Sequence, residues 1–251
     1  MKYIIFDLDD TLLNSQRQVS DYTLTVLRQL QDMGHKIVIN TARSLDYARP
    51  IFDRIGPDYA IVNGGALIVD RQGQPLFRAQ IDHETTLAVL RSLLELTQNF
   101  SVQAEDALYS HLGSYTGQDA RAFDFARDEF PYPALKIVAS IEDDAQAEAL
   151  ARQFRLEYTT YLGGPFRRYN HPGATKALGN RNLVELTGGT MADVLAFGDD
   201  LGDLEMLQQA GIGVLMKNAA PALHDCGCRI STFTNDEDGV ARFLADFFCL
   251  H

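Results

Sequence analysis

The chain has 251 residues, of which 46% are hydrophobic and 22% charged, and its formal net charge is -12. This length suits one large domain or two modest ones, and the composition is typical of a packed soluble protein rather than a disordered chain. The acidic excess argues against nucleic acid and anionic membrane surfaces as partners, because both favour clustered Lys and Arg. A small anionic substrate stays compatible, since a bound cation and local basic groups can act within one pocket.

The sequence also predicts a cytoplasmic location. No apolar stretch approaches the roughly 18–20 residues that span a bilayer, and a strand predicted at the very start leaves no room for a signal peptide. Cys226, Cys228 and Cys249 are odd in number and lack the spacing of a zinc site. Reduced thiols are expected, although a metal or redox role for Cys226 and Cys228 stays open.

The first third of the chain alternates strands and helices. In chain order the predicted elements are strand Tyr3–Phe6, a helix capped by Ser20 that ends at Met33, strand Lys36–Asn40, helix Leu45–Ile55 and strand Tyr59–Val62. This β-α-β-α-β order, with right-handed crossovers, predicts a parallel sheet. After a turn at 63–65, the apolar runs at 66–69 and 75–77 predict a hairpin.

From about Asp82 short strands joined by turns alternate with helices, which predicts an α+β unit with an antiparallel sheet. Its predicted elements are helix His83–Thr97, strands Phe100–Gln103 and Ala107–Leu112, helix Gln118–Arg127, strand Leu135–Ser140, helix Ile141–Phe154 and strands Leu156–Tyr161 and Phe166–Tyr169. The α/β pattern then returns with helix Ala174–Leu186, strand Val194–Phe197, helix Leu201–Gln209 and strand Ile212–Leu215. The sequence therefore predicts a discontinuous core domain, residues 1–81 and 171–251, with a second domain inserted at 82–170.

Two carboxylates follow the first predicted strand. Alternation along an extended backbone would point Asp7 and Asp9 the same way. Like charges so close repel each other unless a cation neutralises them, and Mg2+ is a cation that carboxylates hold well. The alternative is a pair of turn or helix-capping acids, which commonly follow a strand.

Three other places in the sequence carry polar or charged residues that could act together with Asp7 and Asp9. Thr41 comes after the second strand, where it can bind phosphate or cap a helix. Lys176 lies near a helix start, which is unfavourable unless an anion is close; a solvated lysine is the alternative. Asp199 and Asp203 follow Gly198 and lie one helical turn apart. They can hold a metal ion; the alternative is an acidic helix start, which the helix dipole favours without a metal. Because these residues meet at one sheet edge, they jointly predict a magnesium-dependent phosphoryl-transfer site.

These motifs resemble the haloacid dehalogenase (HAD) superfamily. The superfamily has Asp-x-Asp-x-Thr, then Thr or Ser, then Lys, then Gly-Asp-x-x-x-Asp, matched in order here by Asp7/Asp9/Thr11, Thr41, Lys176 and Gly198/Asp199/Asp203. The insert, Asn63-Gly64 and Asn218-Ala219 are similar to the Cof-like (type IIB) branch, which carries a C2-type cap. The resemblance implies a Rossmann-like α/β core with a parallel sheet and an inserted α+β cap domain.

The resemblance also implies a phosphatase that forms an aspartyl-phosphate. Asp7 would be the nucleophile, and Asp9 would serve as general acid and then general base. Mg2+ would be held by Asp7, the backbone carbonyl of Asp9 and Asp199, with Asp203 as a direct or indirect ligand. The phosphate and substrate would be bound by Thr41, Ala42, Lys176, Asn63 and Gly64. Other branches of the superfamily have Thr or an aromatic residue at the position of Asp9. Among the activities of the superfamily, Asp9 is therefore consistent with a phosphatase or a phosphomutase, and the type of cap favours a phosphatase.

Two positions depart from the family pattern. Gly202 replaces the usual Asn, which can contact phosphate, and Ala42 replaces the usual Gly. The expected partner is a small phosphate ester, with a sugar phosphate favoured and pyridoxal phosphate or flavin mononucleotide open, and the protein is expected to be a monomer or homodimer. Arg167 and Arg168 are candidates for contact with a second anionic group, against solvated strand-edge arginines. A receiver-like domain and a catalytically weak sugar-phosphate-binding regulator are the non-enzymatic alternatives.

Overall fold

The computed structural model describes residues 2–115, 118–160 and 164–250. The chain divides into two compact units: a core unit, Met1–Phe77 with Thr175–His251, and an inserted unit, Arg78–Ala174. The insert predicted at 82–170 lies within the second unit. Across the described ranges, no helix is both long enough and apolar enough to cross a membrane.

The strands are numbered β1 to β16 along the chain. They are β1 Tyr3–Phe6, β2 Lys36–Asn40, β3 Tyr59–Val62, β4 Leu67–Asp70, β5 Pro75–Arg78, β6 Phe100–Gln103, β7 Leu108–Ser110, β8 Ser114–Tyr115, β9 Gln118–Asp119, β10 Arg121–Ala122, β11 Lys136–Ser140, β12 Glu157–Thr160, β13 Phe166–Asn170, β14 Val194–Gly198, β15 Ile212–Leu215 and β16 Arg229–Ile230. The α-helices are α1 Asp21–Asp32, α2 Leu45–Ile55, α3 His83–Leu96, α4 Asp144–Phe154, α5 Lys176–Leu186, α6 Leu204–Gln209 and α7 Gly239–Phe247.

An eight-stranded sheet forms the centre of the core unit, in the order β16-β15-β14-β1-β2-β3-β4-β5. The pairs from β16 to β3 are parallel, and β4 runs antiparallel to β3. All four residues of β1 are buried, as a strand covered on both faces requires. Because β1 lies between β14 and β2, the segments after these strands meet at one edge of the sheet. The predicted α/β fold class is confirmed.

The inserted unit contains a six-stranded sheet in the order β10-β7-β6-β11-β13-β12. Its strand pairs are antiparallel, apart from the parallel pair of β10 and β7. Helices α3 and α4 pack against one face of this sheet through an apolar cluster that includes Leu93, Ile137 and Leu150. A two-stranded sheet of β8 and β9 accompanies it.

Several predicted elements differ from the structure; among them, the helix predicted at Ile141–Phe154 begins at Asp144 and the strand predicted at Ala107–Leu112 is Leu108–Ser110. The helix predicted at Gln118–Arg127 is wrong: the segment contains β9, β10 and turns. Phe123 and Phe125 follow the period of two of extended chain, and both rings contact Phe130. The helix predicted from Leu201 begins at Leu204, and the strand predicted at Leu156–Tyr161 is β12, with Tyr161 outside the described residues. Predicted elements end at Leu215, whereas β16 and α7 lie beyond it.

Candidate active site

Lys176 lies between two buried carboxylates at the carboxyl edge of the core sheet. Its Nζ is 3.0 Å from Oδ1 of Asp7 and donates a hydrogen bond of 2.6 Å to Oδ1 of Asp203. The Lys176 side chain is 9% exposed, and Asp203 is fully buried. A buried lysine with two acidic partners is not a solvated surface lysine, so that alternative does not hold.

The local sequence explains how Lys176 reaches this position. Thr175 caps helix α5 by accepting a hydrogen bond from the backbone N–H of Leu178, so Lys176 is the first helical residue. A cation there is opposed by the helix dipole. The two carboxylates offset that effect and favour the charged lysine.

The pKa values of Asp7 and Lys176 are both raised, but by different causes. Burial raises the pKa of Asp7 well above its usual range, and repulsion from Asp203 adds to this while Lys176 opposes it. Burial alone would lower the pKa of Lys176, but attraction to Asp7 and Asp203 outweighs it and raises that pKa. The lysine is therefore charged and balances the buried acids.

Asp199 and Asp203 are held by the turn that follows β14. Oδ2 of Asp203 accepts hydrogen bonds from the backbone N–H groups of Asp199, at 3.0 Å, and of Asp200, at 3.2 Å. Oδ1 of Asp199 accepts one from the Thr11 hydroxyl at 2.6 Å. A side chain at Gly198 would place its Cβ 2.4 Å from that of Asp203, so the turn requires glycine there. Burial raises the pKa of Asp199 to about 7, although the Thr11 hydrogen bond opposes the shift.

Three of these carboxylates form a group that suits a metal ion. Asp7, Asp199 and Asp203 each offer an oxygen, and these oxygens lie within 4.8 Å of one another. Together with Lys176 the group has more negative than positive charge when ionised. Carboxylate oxygens are ligands that hard divalent cations such as Mg2+ prefer. The residues present therefore fit the predicted ion.

Asp9 has a different partner from Asp7. Its carboxylate accepts two hydrogen bonds from Arg43, one from Nε at 2.8 Å and one from Nη2. The Asp9 side chain is 45% exposed, whereas that of Arg43 is 10% exposed. Strand β1 ends at Phe6, and the wide turn Leu8–Leu12 that follows has non-helical backbone angles at Asp9 and Asp10. The two carboxylates are therefore held in distinct environments, which strand alternation did not predict.

The predicted phosphate-binding residues are linked through the backbone. Thr41 is buried; its N–H donates to the carbonyl of Ile61, and its own carbonyl accepts from the N–H of Gly64. The N–H of Asn63 donates to the carbonyl of Arg43, and the N–H of Arg43 donates to the Thr41 hydroxyl. Backbone hydrogen bonds thus join the segment from Thr41 to Arg43, which includes Ala42, to the turn after β3. This segment lies beside the acids that follow β1.

Two residues that hold the site together, Arg43 and Asn40, were not predicted from the sequence. Arg43 lies two residues after Thr41, and only the structure shows that it binds Asp9. Asn40 donates to the backbone carbonyl of Lys176 and to Oδ1 of Asn180, which ties β2 to helix α5. Asn40 is a polar residue that ends an apolar strand, and that is the one sequence signal that could have identified it.

Residues 4–244 match the family model of haloacid dehalogenase-like hydrolases, and the chain belongs to this family. Among its relatives, the 5-amino-6-(5-phospho-D-ribitylamino)uracil phosphatases YcsE and YitU of Bacillus subtilis are 30% and 28% identical to it. The alignment with YcsE covers 97% of this chain and 94% of that protein, and the alignment with YitU covers 98% and 97%. The HAD subclass IIB sugar phosphatase BT4131 shares the fold, with a TM-score of 0.81 at 19% identity over 100% of both chains. The predicted superfamily and the predicted enzyme class, a phosphatase, are confirmed.

Proposed function

We propose that this protein is a Mg2+-dependent phosphatase that hydrolyses a small phosphorylated metabolite through an aspartyl-phosphate on Asp7. The observation that carries this proposal is the meeting of Asp7, Asp199 and Asp203 around Lys176 at one edge of the core sheet. Such a group combines a nucleophile, a cation site and a fixed positive charge. Phosphoryl transfer requires these elements, because positioning and charge stabilisation supply most of its catalysis.

In the first proposed step, a carboxylate oxygen of Asp7 attacks phosphorus while the bond from phosphorus to the alcohol oxygen breaks. Asp9 gives its proton to that leaving oxygen. In the second step Asp9 takes a proton from water, whose oxygen attacks phosphorus and releases inorganic phosphate and free Asp7. Lys176 holds Asp7 in place and attracts the phosphoryl oxygens throughout.

Mg2+ would be held by Asp7, the backbone carbonyl of Asp9, Asp199 and Asp203. When bound, it supplies positive charge that reduces the repulsion between an anionic nucleophile and an anionic phosphate. The Thr11 hydroxyl, through its hydrogen bond to Asp199, positions one of these ligands.

Proton transfer by Asp9 requires a change of partner. A carboxylate that accepts two hydrogen bonds from a guanidinium is held as an acceptor, whereas the first step needs Asp9 to donate a proton. We therefore propose that Asp9 leaves Arg43 as substrate binds. Its exposed side chain has room for that rotation.

The proposed substrate is a small phosphate ester, with a sugar phosphate favoured. YitU and YcsE are named for a substrate whose phosphate is carried on a ribityl chain, and BT4131 is named as a sugar phosphatase. Thr41, Ala42, Asn63 and Gly64, together with Lys176, are proposed to bind the phosphate. The inserted unit is proposed to act as the cap that selects the rest of the molecule.

The test is hydrolysis of p-nitrophenyl phosphate with and without Mg2+, comparing wild type with Asp7→Asn and Asp9→Asn. Asp7→Asn should abolish turnover, and Asp9→Asn should reduce it by about 10²–10⁴-fold. Asp10→Asn is the matched control: Asp10 is exposed and has a φ of 54°, which Asn tolerates. Absence of hydrolysis across a broad panel of phosphate esters would overturn the phosphatase proposal, and retained binding of sugar phosphates would then favour a regulator.

A further inference from the structure

Two asparagine side chains connect the turn after β1 to segments that follow β15. Nδ2 of Asn218 donates a hydrogen bond of 2.7 Å to the backbone carbonyl of Asp10, and its Oδ1 accepts one of 3.1 Å from the backbone N–H of Asn235. Nδ2 of Asn235 in turn donates to the carbonyl of Leu13 at 3.0 Å. These hydrogen bonds form one continuous chain, which holds the turn both at Asp10 and at Leu13.

The turn held in this way has an unfavourable backbone conformation. Asp10 has a φ of 54° and a ψ of 7°, which is the left-handed region, and Asp9 before it is extended, with a φ of -70° and a ψ of 133°. The N–H of Leu13 donates to the carbonyl of Leu8 at 2.8 Å and closes the turn. A left-handed residue other than glycine persists where the surrounding structure restrains it. Asn218 supplies such a restraint from outside the turn.

The conformation of Asp10 matters because residues of the candidate site lie on both sides of it. Asp9 precedes it, and Thr11, whose hydroxyl donates to Oδ1 of Asp199 at 2.6 Å, follows it. Peptide units are planar and rigid, so a rotation about φ or ψ of Asp10 moves Asp9 relative to Thr11. The backbone angles of Asp10 therefore decide where Asp9 lies relative to Asp199.

Asn218 is itself held at the carboxyl edge of the core sheet. The N–H of Met216, just after β15, donates to the carbonyl of Gly198, the last residue of β14, at 2.9 Å. The N–H of Ala219 donates to the carbonyl of Met216 at 3.0 Å, which closes a turn around Asn218. Asn218 thereby links the segment after β1 to the segment after β14, and these two segments carry carboxylates of the candidate site.

Other contacts fasten the same part of the chain without Asn218. The hydroxyl and the N–H of Ser15 donate to the carboxylate of Asp236 at 2.6 and 2.7 Å, and the hydroxyl of Thr23 donates to Asp238 at 3.2 Å. Asn218 is exposed. Loss of its amide is therefore expected to alter the turn locally and to leave the fold intact.

We propose that Asn218 is a positioning residue for the phosphatase reaction, because its amide holds Asp10 in the left-handed conformation and thereby fixes Asp9. The inference rests on the proposed function, in which Asp9 transfers the proton and its backbone carbonyl is a metal ligand. It adds a residue that acts on both through the backbone. When the amide is removed, the turn also adopts conformations in which Asp9 is displaced, and only the remaining fraction of molecules is competent.

The first test compares Asn218→Ala with wild type in the hydrolysis of p-nitrophenyl phosphate at saturating Mg2+. The value of kcat should fall about tenfold or more, as is usual for residues that orient a ligand. KM should stay within about twofold, because the proposed phosphate-binding residues lie on other segments. Tm should fall by only about 2–4 °C, as expected for one hydrogen bond. A lowered Tm with unchanged kcat would identify a purely structural contact and overturn the inference.

Gln208→Ala is the matched control. Nε2 of Gln208 donates to the carbonyl of Cys226 at 3.3 Å, so this variant also removes an exposed hydrogen bond from a side-chain amide to a backbone carbonyl. Both residues lie beside Gly211 and Ile212, where β15 begins, whereas Asn218 lies beyond its end. Gln208→Ala should keep the kcat of wild type. An equal fall in kcat in both variants would count against a specific role of Asn218.

A second substitution at Asp10 tests the conformational step. Glycine adopts a positive φ without the penalty that a Cβ brings, so a turn with Asp10→Gly needs less restraint. In the Asn218→Ala background, Asp10→Gly should raise kcat by about threefold or more, although the hydrogen bond is still missing. If kcat does not recover, the backbone of Asp10 is not the link between Asn218 and Asp9.

The measurement that needs no turnover is calorimetric titration with Mg2+ alone. The Kd for Mg2+ should rise about tenfold in Asn218→Ala and stay at the wild-type value in Gln208→Ala. Failure of the wild type to hydrolyse any phosphate ester would overturn the phosphatase function, and this titration would then decide the role of Asn218. Equal Mg2+ affinities of wild type and Asn218→Ala, or no binding by either, would reject the inference.

Discussion

Replacing Lys176 by Met tests the charge balance of the site most directly. The lysine side chain is 9% exposed and lies between Asp7, 10% exposed, and Asp203, 0% exposed. Met preserves most of the side-chain length and removes the charge, which leaves two buried carboxylates without their cation. Loss of one partner from a buried ion pair costs about 3–5 kcal/mol of the free energy of unfolding. For a chain of this size that loss lowers Tm by roughly 6–20 °C.

The assay is thermal unfolding in EDTA and again with Mg2+. In EDTA the Lys176→Met protein should melt well below wild type. Mg2+ should raise its Tm by more than it raises that of wild type, because the ion meets a more negative group of carboxylates. The Mg2+-loaded variant should still lose about 10²–10³-fold in kcat, since the fixed positive charge near the phosphoryl oxygens is gone.

The matched control is Arg152→Met, which removes the cation of an exposed i,i+4 pair with Glu148. Exposed pairs of this kind contribute about 0–1 kcal/mol. If Lys176→Met destabilises the protein in EDTA no more than Arg152→Met does, then Lys176 does not compensate the charges of the buried acids.

Three further predictions concern the same edge of the core sheet. Because the pKa of Asp199 is raised to about 7, Mg2+ competes with a proton for this carboxylate below that pH. The Mg2+ concentration for half-maximal activity should therefore rise by up to about tenfold per pH unit from pH 7 to 6, and it should not change above pH 8. A flat dependence over the whole range would contradict this. Gly202→Asn, whose Cβ would lie 3.1 Å from Oδ1 of Asp200, should lower the inhibition constant for inorganic phosphate by about threefold to tenfold, whereas Gly202→Ala should not. Gly65→Ala should destabilise the protein by about 2 kcal/mol or more in urea unfolding. The reason is that Gly65 has a φ of +104° and that the Cβ of an alanine there would lie 2.2 Å from the carbonyl oxygen of Thr175. Wild-type stability of the variant would refute that close contact.

Most elements of the core unit up to Leu215 were predictable because their signals are local. Apolar runs such as Tyr3–Phe6 and Tyr59–Val62 form strands with the predicted bounds, and Ser20 and Ser44 cap the helices that follow them. The segment Gln118–Arg127 was mispredicted because its conformation depends on distant partners. Its aromatic rings pack among those of β7 and of the chain near Phe130, and that packing overrides local helix propensity.

Individual contacts within the candidate site also depend on residues that are distant in the sequence, so they could not be predicted from it. The sequence indicates which residue types follow each strand, but it does not give the partner of each charge. Thr11 and Asp199 are 188 positions apart in the chain and are brought together only because β14 pairs with β1. Arg43 could equally have faced an incoming phosphate, and the structure shows it holding Asp9 instead. The division between a buried Asp7 paired with Lys176 and a half-exposed Asp9 held by Arg43 therefore follows from strand order, because that order decides which cation lies next to each carboxylate.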